Sequence, residues 1–154
     1  MIKMLLALGA LVATTAVAQV TPSDAWVRAT VPAQKSAGAY LTLQSVRAVR
    51  LVGASSPMAG AVEMHQMAME GQTMKMRAVT AIDLPAGAKV NLAQAGYHLM
   101  FIDLKQQLKD GDTVPVTLTV EDAAKKRDSV TIQVPVKPIG YTAPAAPAAA
   151  HQHQ

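Results

Sequence analysis

Residues that form turns interrupt this chain at short and regular intervals, and this spacing constrains its fold more than any other feature. The interruptions are Pro32, Ser55-Ser56-Pro57, Gly71, Pro85-Ala86-Gly87, Gln94-Ala95-Gly96 and Asp110-Gly111-Asp112. Proline and glycine end regular secondary structure because their backbone dihedral ranges differ from those of other residues. The short segments between these interruptions are typical of β-strands joined by turns.

Strands are predicted at 24–30, 39–46, 50–54, 61–70, 73–80, 89–92, 98–104, 113–120 and 129–136. Apolar residues alternate with polar ones in the last two segments, as in strands with one buried face. Pro115 has no amide hydrogen to donate, which predicts an edge position for its strand. A single helical turn is expected at 104–108. So many short strands predict an all-β fold, a Greek-key β-sandwich or small barrel.

The two ends of the chain differ in composition from the body. Lys3, the apolar stretch 4–12 and Ala16-Val17-Ala18 match a secretory signal peptide over 1–18, with cleavage after Ala18. The apolar stretch is too short to span a membrane. The alternative is a buried N-terminal helix. Residues 19–137 then form one exported domain, and 138–154 form a disordered tail rich in proline and alanine that ends in His151-Gln152-His153-Gln154.

The charge pattern argues against nucleic acid as a partner. The net charge is +4, and the lysine and arginine residues are scattered along the sequence. Only Lys125-Lys126-Arg127 forms a run, and this run lies in a predicted turn. A solvated loop explains it better than a basic binding patch.

Two His-x-Met steps, His65-Gln66-Met67 and His98-Leu99-Met100, suggest metal chemistry. Five methionines are concentrated between residues 64 and 76, and the chain contains no cysteine. Imidazole and thioether groups without thiolate are soft ligands that suit Cu(I) and do not suit Mg²⁺ or Ca²⁺. An electron-transfer blue-copper site is excluded, because such a site needs a cysteine thiolate.

A hairpin around Gly71-Gln72 would bring these donors together. A two-residue loop with glycine first fits a type II′ turn. It pairs Met69 with Met74, Met67 with Met76 and His65 with Ala78, so that all five His and Met side chains share one face. A three-residue loop would place Met74 and Met76 on the opposite face. His98 and Met100 share a face of their own strand and would complete a site if that strand lay beside the hairpin.

The same histidines and methionines also fit roles that involve no copper. Methionine is a flexible core filler. A core or surface role is favoured for Met58 and Met64, whereas Met69 and Met74 are equally consistent with such a role and with metal binding. His65, His98 and Glu63 could form a zinc site, although this would leave the methionines without a purpose. An exported scaffold with a chance methionine cluster is a further alternative.

The spacing of His65, Met76, His98 and Met100 resembles the copper signature of the PCu(A)C family of periplasmic copper chaperones. The surrounding stretches 62–67, 74–77 and 96–100 are also similar, as are 103–106 and 108–112, and the resemblance extends over residues 25–136. None of the four positions departs from the family pattern.

The resemblance implies a cupredoxin-like fold that binds one Cu(I) through His65, Met76, His98 and Met100, with Met67 as an additional candidate. It also implies delivery of copper to the CuA centre in subunit II of cytochrome c oxidase, alongside Sco-type copper proteins. Some members have tails that bind Cu(II), and His151 and His153 are candidates for that role. A periplasmic copper-buffering or resistance protein would use the same ligands and is the alternative function; an enzyme is not expected.

Overall fold

The structure is a computed structural model, described here for residues 20–144, and it consists of strands and loops. The ten strands are β1 (Val20–Arg28), β2 (Ser36–Ser45), β3 (Val49–Ser55), β4 (Ala59–Glu70), β5 (Thr73–Val79), β6 (Ile82–Leu84), β7 (Lys89–Asn91), β8 (Tyr97–Leu104), β9 (Thr113–Glu121) and β10 (Arg127–Lys137). Residues 20–144 include no helix, and therefore none that is long and apolar enough to cross a membrane.

Seven of these strands form a closed barrel. Hydrogen-bonded neighbours follow the order β3, β4, β8, β2, β1, β10, β9, and β9 pairs again with β3. The parallel pairing of β1 with β10 joins the first and last strands, which are antiparallel to their other partners. Strands β5, β6 and β7 are attached to the barrel through β4, β3 and β2 respectively. The predicted all-β architecture is confirmed.

Alternating side chains fill the interior of the barrel. Val114, Val116, Leu118 and Val120 of β9 are buried, as their spacing predicts. The largest fully buried side chain is Phe101 of β8, which pairs with β2 on one side and β4 on the other. Because successive residues point to opposite faces, this inward position of Phe101 places His98 and Met100 on the outer face of β8.

Two local expectations need correction, and one strand was missed. Residues 104–108 form no helical turn. Leu104 ends β8 and a bend follows at 105–106, and Leu104 N, Lys105 N and Leu108 N donate to groups distant in sequence. Strand β9 is flanked on both sides, although Pro115 itself pairs only with β10, since β3 pairs with β9 from Thr117 onward. The three-residue strand β6 was not predicted.

The beginning of the predicted tail packs against the body. Arg28 donates from Nη1 to the carbonyl oxygens of Ile139 and Tyr141. The Tyr141 ring lies edge-on to Trp26 with 4.9 Å between centroids. The predicted signal peptide and the tail histidines lie outside the described residues, so the domain boundaries stay predictions.

Glu121 on β9 forms ion pairs with arginines of the two neighbouring strands, β3 and β10. This buried carboxylate lies 2.9 Å from Arg50 Nη2 on β3 and 3.1 Å from Arg127 Nε on β10. The hydrogen bond from Arg127, and then that from Arg50, holds the pKa of Glu121 below its usual 4.5, against the opposing effect of burial.

Replacing Glu121 with Gln is therefore expected to remove an acid-dependent part of the stability. A carboxylate with a lowered folded-state pKa stabilises the fold above its unfolded pKa of 4.5, and this contribution is lost as the pH falls below that value. Urea unfolding of both proteins should show the variant less stable at pH 7 and the difference shrinking below about pH 4.5. A gap that stays constant across this range would contradict the assignment.

Candidate metal centre

The β4–β5 hairpin has the register that the sequence predicts. Glu70 pairs with Thr73, Met69 with Met74, Met67 with Met76 and His65 with Ala78. Gly71 has a φ of +64° and Gln72 has a negative φ, as a type II′ turn requires. The two-residue loop therefore puts His65 and the four methionines 67, 69, 74 and 76 on one face, and the alternative three-residue loop is wrong.

Strand β8 lies on the other side of β4 and brings the second His-x-Met step to the same face. His65 and His98 are direct cross-strand partners. Their rings meet edge to face with 5.5 Å between centroids. The two imidazoles that are 33 positions apart in the sequence thus become neighbours through one β-pairing.

His65 is held between a carboxylate and a thioether. Its Nε2 lies 2.7 Å from Glu63 Oε2, and its Nδ1 lies 3.0 Å from Met76 Sδ. A carboxylate accepts a hydrogen bond from Nε2–H, which leaves the lone pair of the neutral ring on Nδ1. Glu63 therefore directs the metal-binding atom of His65 toward the sulfur of Met76. Such an outer carboxylate commonly fixes the orientation and tautomer of a ligating histidine.

Met100 and Met67, the two other candidate thioether ligands, lie on either side of the histidine pair. Met100 pairs with Glu63 and with Gly38, and is thus a diagonal neighbour of His65 on the same face. Diagonal neighbours are about 7–8 Å apart at the backbone, within reach of a methionine side chain. Met67 pairs with Met76, and its amide donates to Gly96 O at 2.8 Å. Both thioethers can approach the histidine pair from this face.

Burial of the candidate ligands decreases from β8 across β4 to the edge strand β5. His98 is 6% exposed, the His65 side chain 13% and Met76 47%. Burial, and secondarily the nearby His65, lowers the pKa of His98 below 6.5, so that the neutral form, which is the metal ligand, is present at neutral pH. The site therefore has an inner, shielded nitrogen and an outer, accessible sulfur.

An aromatic group behind His98 was not anticipated from the sequence. The Tyr40 ring on β2 lies 6.1 Å from the His98 ring and stacks on Trp26 at 4.7 Å. A Cβ atom at Gly38 would lie 3.3 Å from the Tyr40 hydroxyl, so glycine leaves room for this ring beside Met100. The scarcity of aromatic residues, 3% of the chain, is the signal that could have drawn attention to this pair.

The structure also bears on the zinc and core-filling hypotheses. Within residues 20–144 no three His, Cys, Asp or Glu side chains are grouped so that they could hold a metal ion, which argues against the zinc site of His65, His98 and Glu63. Met64 is buried in the core and Met58 packs against the core, which agrees with the core or surface role favoured for both residues from the sequence. Met69 and Met74 are 60% and 56% exposed and are not core fillers.

Comparison with known proteins identifies relatives of this chain. A family model described as "Putative lipoprotein LpqE-like" matches residues 20–136. A protein named "Putative lipoprotein Lxx21020", from Leifsonia xyli subsp. xyli, is 29% identical over 116 residues, which cover 75% of this chain and 68% of that protein.

Solved structures share the fold. The copper-bound PCuAC domain from PmoF2 superposes with a TM-score of 0.63 at 26% identity, covering 80% of this chain and 97% of that domain. Apo-DR1885 from Deinococcus radiodurans gives 0.57 at 30% identity, with 90% and 91% of the two chains covered. Its Cu(I) form gives 0.57 at 28% identity, with 83% of each covered. The expected cupredoxin-like barrel and the resemblance to PCu(A)C proteins are confirmed.

Proposed function

This chain belongs to the LpqE-like family, whose model matches residues 20–136, and we propose that it is a metallochaperone that carries one Cu(I). Its ligands are His65, Met76, His98 and Met100. The observation that carries this proposal is the contact of His65 Nδ1 with Met76 Sδ beside the cross-strand partner His98. The PCuAC relatives solved with copper support the same cargo.

The chemistry of this ligand set selects Cu(I). Two imidazoles and two thioethers are neutral and soft, which favours a monovalent d¹⁰ ion over hard divalent ions. The carboxylate of Glu63 contacts His65 at Nε2, whereas Met76 contacts the same ring at Nδ1. The bound ion therefore keeps its positive charge, and nothing in this arrangement positions a water or a substrate for catalysis. The proposed role is binding and transfer without a chemical transformation.

The gradient of burial suggests how copper is released. Met76 is half exposed on the edge strand β5, whereas His98 is shielded by its neighbours. An incoming ligand of a partner can displace the outer thioether first while the inner imidazole still holds the ion. Stepwise ligand exchange of this kind needs no unfolding of the barrel.

The proposed route is periplasmic. Copper would pass to the CuA centre of cytochrome c oxidase subunit II, alongside Sco-type copper proteins, in the service of oxidase assembly and copper homeostasis. His151 and His153 would supply a second, Cu(II) site in the tail. The alternative function is copper buffering or resistance, which would use the same four ligands to store the ion.

A transfer assay separates delivery from storage. Cu(I)-loaded protein is mixed anaerobically with the apo CuA domain of subunit II, and formation of the Cu(I)-bound acceptor is followed by NMR. Delivery predicts faster loading of the acceptor than from a small chelator set to the same free Cu(I) concentration, because direct ligand exchange bypasses free copper. Loading no faster than from the chelator would favour storage.

A further inference from the structure

The tip of the β4–β5 hairpin extends beyond the rest of the barrel. Pairing of β4 with β8 ends at Gln66 and Tyr97, followed by the single hydrogen bond from Met67 N to Gly96 O. From Ala68 to Lys75, the described part of the chain provides no third strand, so this segment is a two-stranded ribbon. Both of its faces meet solvent, which explains the high exposure of Met69 and Met74.

The two faces of this ribbon have opposite chemistry. One face carries Ala68, Glu70, Thr73 and Lys75, with an ion pair of 2.8 Å between Glu70 and Lys75. The other face carries Met69 paired with Met74, and the same face continues below the ribbon in the pair of Met67 with Met76. Solvent-exposed apolar groups of this kind indicate an interaction site. A purely apolar contact could use leucine or valine, yet every side chain in these two pairs has a sulfur atom.

We propose that Met69 and Met74 form an outer Cu(I) site that loads the inner site. Cβ atoms of cross-strand partners lie about 4.5–5.5 Å apart, so two flexible thioethers can close on one ion. This inference rests on the proposed function for one point, that the bound ion is Cu(I). The pairing of Met69 with Met74 follows from the strand register. Loading is an exchange of ligands on Cu(I), with no change of oxidation state and no proton transfer.

The Met67–Met76 pair connects the outer and inner sites. It lies two residues from the Met69–Met74 pair along each strand, about 7 Å, and Met76 Sδ already touches His65 Nδ1. Exposure falls along the same line from Met69 and Met74 through Met76 to His65 and His98. Copper would therefore meet two accessible sulfurs first and exchange them for nitrogen ligands as it moves inward.

The test uses Cu(I) itself as the probe, with the methionine methyl groups labelled with ¹³C. Anaerobic titration of the protein should show two equivalents, a tight one that shifts Met76 and Met100 and a weaker one that shifts Met69 and Met74. In the double variant Met69→Leu/Met74→Leu, the weaker equivalent should be lost while the tight one keeps its affinity. Loading of the tight site from a Cu(I) chelate, followed by stopped flow, should slow several-fold. Leucine preserves the apolar surface, so the change isolates the sulfur atoms.

Met58→Leu is the matched control, because it removes a thioether that packs against the core, outside the hairpin; it should change neither equivalent nor the loading rate. The inference is overturned if the Met69 and Met74 methyl signals stay fixed when Cu(I) is added beyond the first, tight equivalent, or if the double variant keeps the second equivalent and the loading rate. Either result would leave the proposed function intact. Absence of the tight equivalent in the unsubstituted protein would instead overturn the proposed function.

Discussion

Replacing His98 with Ala is expected to weaken Cu(I) binding by about a hundredfold or more. A four-ligand site for a soft ion contributes roughly 10–16 kcal/mol of binding free energy, judged from structural zinc sites. One ligand's share is then about 3 kcal/mol, and each 1.4 kcal/mol is a factor of about ten. The quadruple substitution His65→Ala, Met76→Ala, His98→Ala and Met100→Ala should abolish the tight equivalent and leave only the weaker one at Met69 and Met74. Competition against a chromophoric Cu(I) chelator measures both effects.

The Glu63→Gln variant should have an intermediate Cu(I) affinity, because it leaves all four ligands in place. Removal of a carboxylate that orients a ligating histidine costs about 10–100-fold in metal affinity, so this variant should bind between the unsubstituted protein and His98→Ala. Far-ultraviolet circular dichroism should show that each variant keeps its β-structure. Unchanged Cu(I) affinity in a folded quadruple variant would reject tight copper binding by these four residues.

The hairpin shows how much of the site follows from local rules. A two-residue loop that begins with glycine fixes the pairing of every residue after it, because side chains alternate with a period of two. The common face of His65, Met67 and Met76 could therefore be predicted before the structure was known. The four proposed ligand positions came from the family resemblance rather than from this geometry.

The contact between the hairpin and β8 could not be predicted in the same way. No local sequence rule states which strand lies beside β4, and the direct pairing of His65 with His98 depends on how the barrel closes. The role of Glu63 also depends on side-chain orientation, and the sequence suggested only a zinc ligand. At 104–108, hydrogen bonds to Lys35 O, Met58 O and Thr30 Oγ1 replace those of the expected helical turn. Tertiary contacts decided each of these features.

Replacing Phe101 on the inner face of β8 with Ala is expected to destabilise the fold by about 3–5 kcal/mol. Phe101 is fully buried and lies opposite Ala37 of β2 and Val62 of β4. Its removal leaves a cavity behind the strand that carries His98 and Met100. Since domains are commonly stable by about 5–15 kcal/mol, urea unfolding should show a large shift of the midpoint. Phe101→Leu, which keeps most of the apolar volume, should lose less.

Copper should partly offset this loss if the site lies on the folded barrel. A ligand that binds only the folded state adds about 4.1 kcal/mol when its free concentration is a thousand times its Kd. The Phe101→Ala variant, unfolded in urea with and without buffered Cu(I), should therefore regain up to about 4 kcal/mol, whereas the same variant lacking the four ligands should regain much less, through the weaker outer site alone. A destabilisation below about 1 kcal/mol would contradict the cavity argument. If both variants regained the same stability on adding Cu(I), copper would be acting at a site other than these four ligands. Binding by His98 and Met100 on the outer face of β8 stabilises the same folded barrel that the loss of Phe101 on the inner face destabilises.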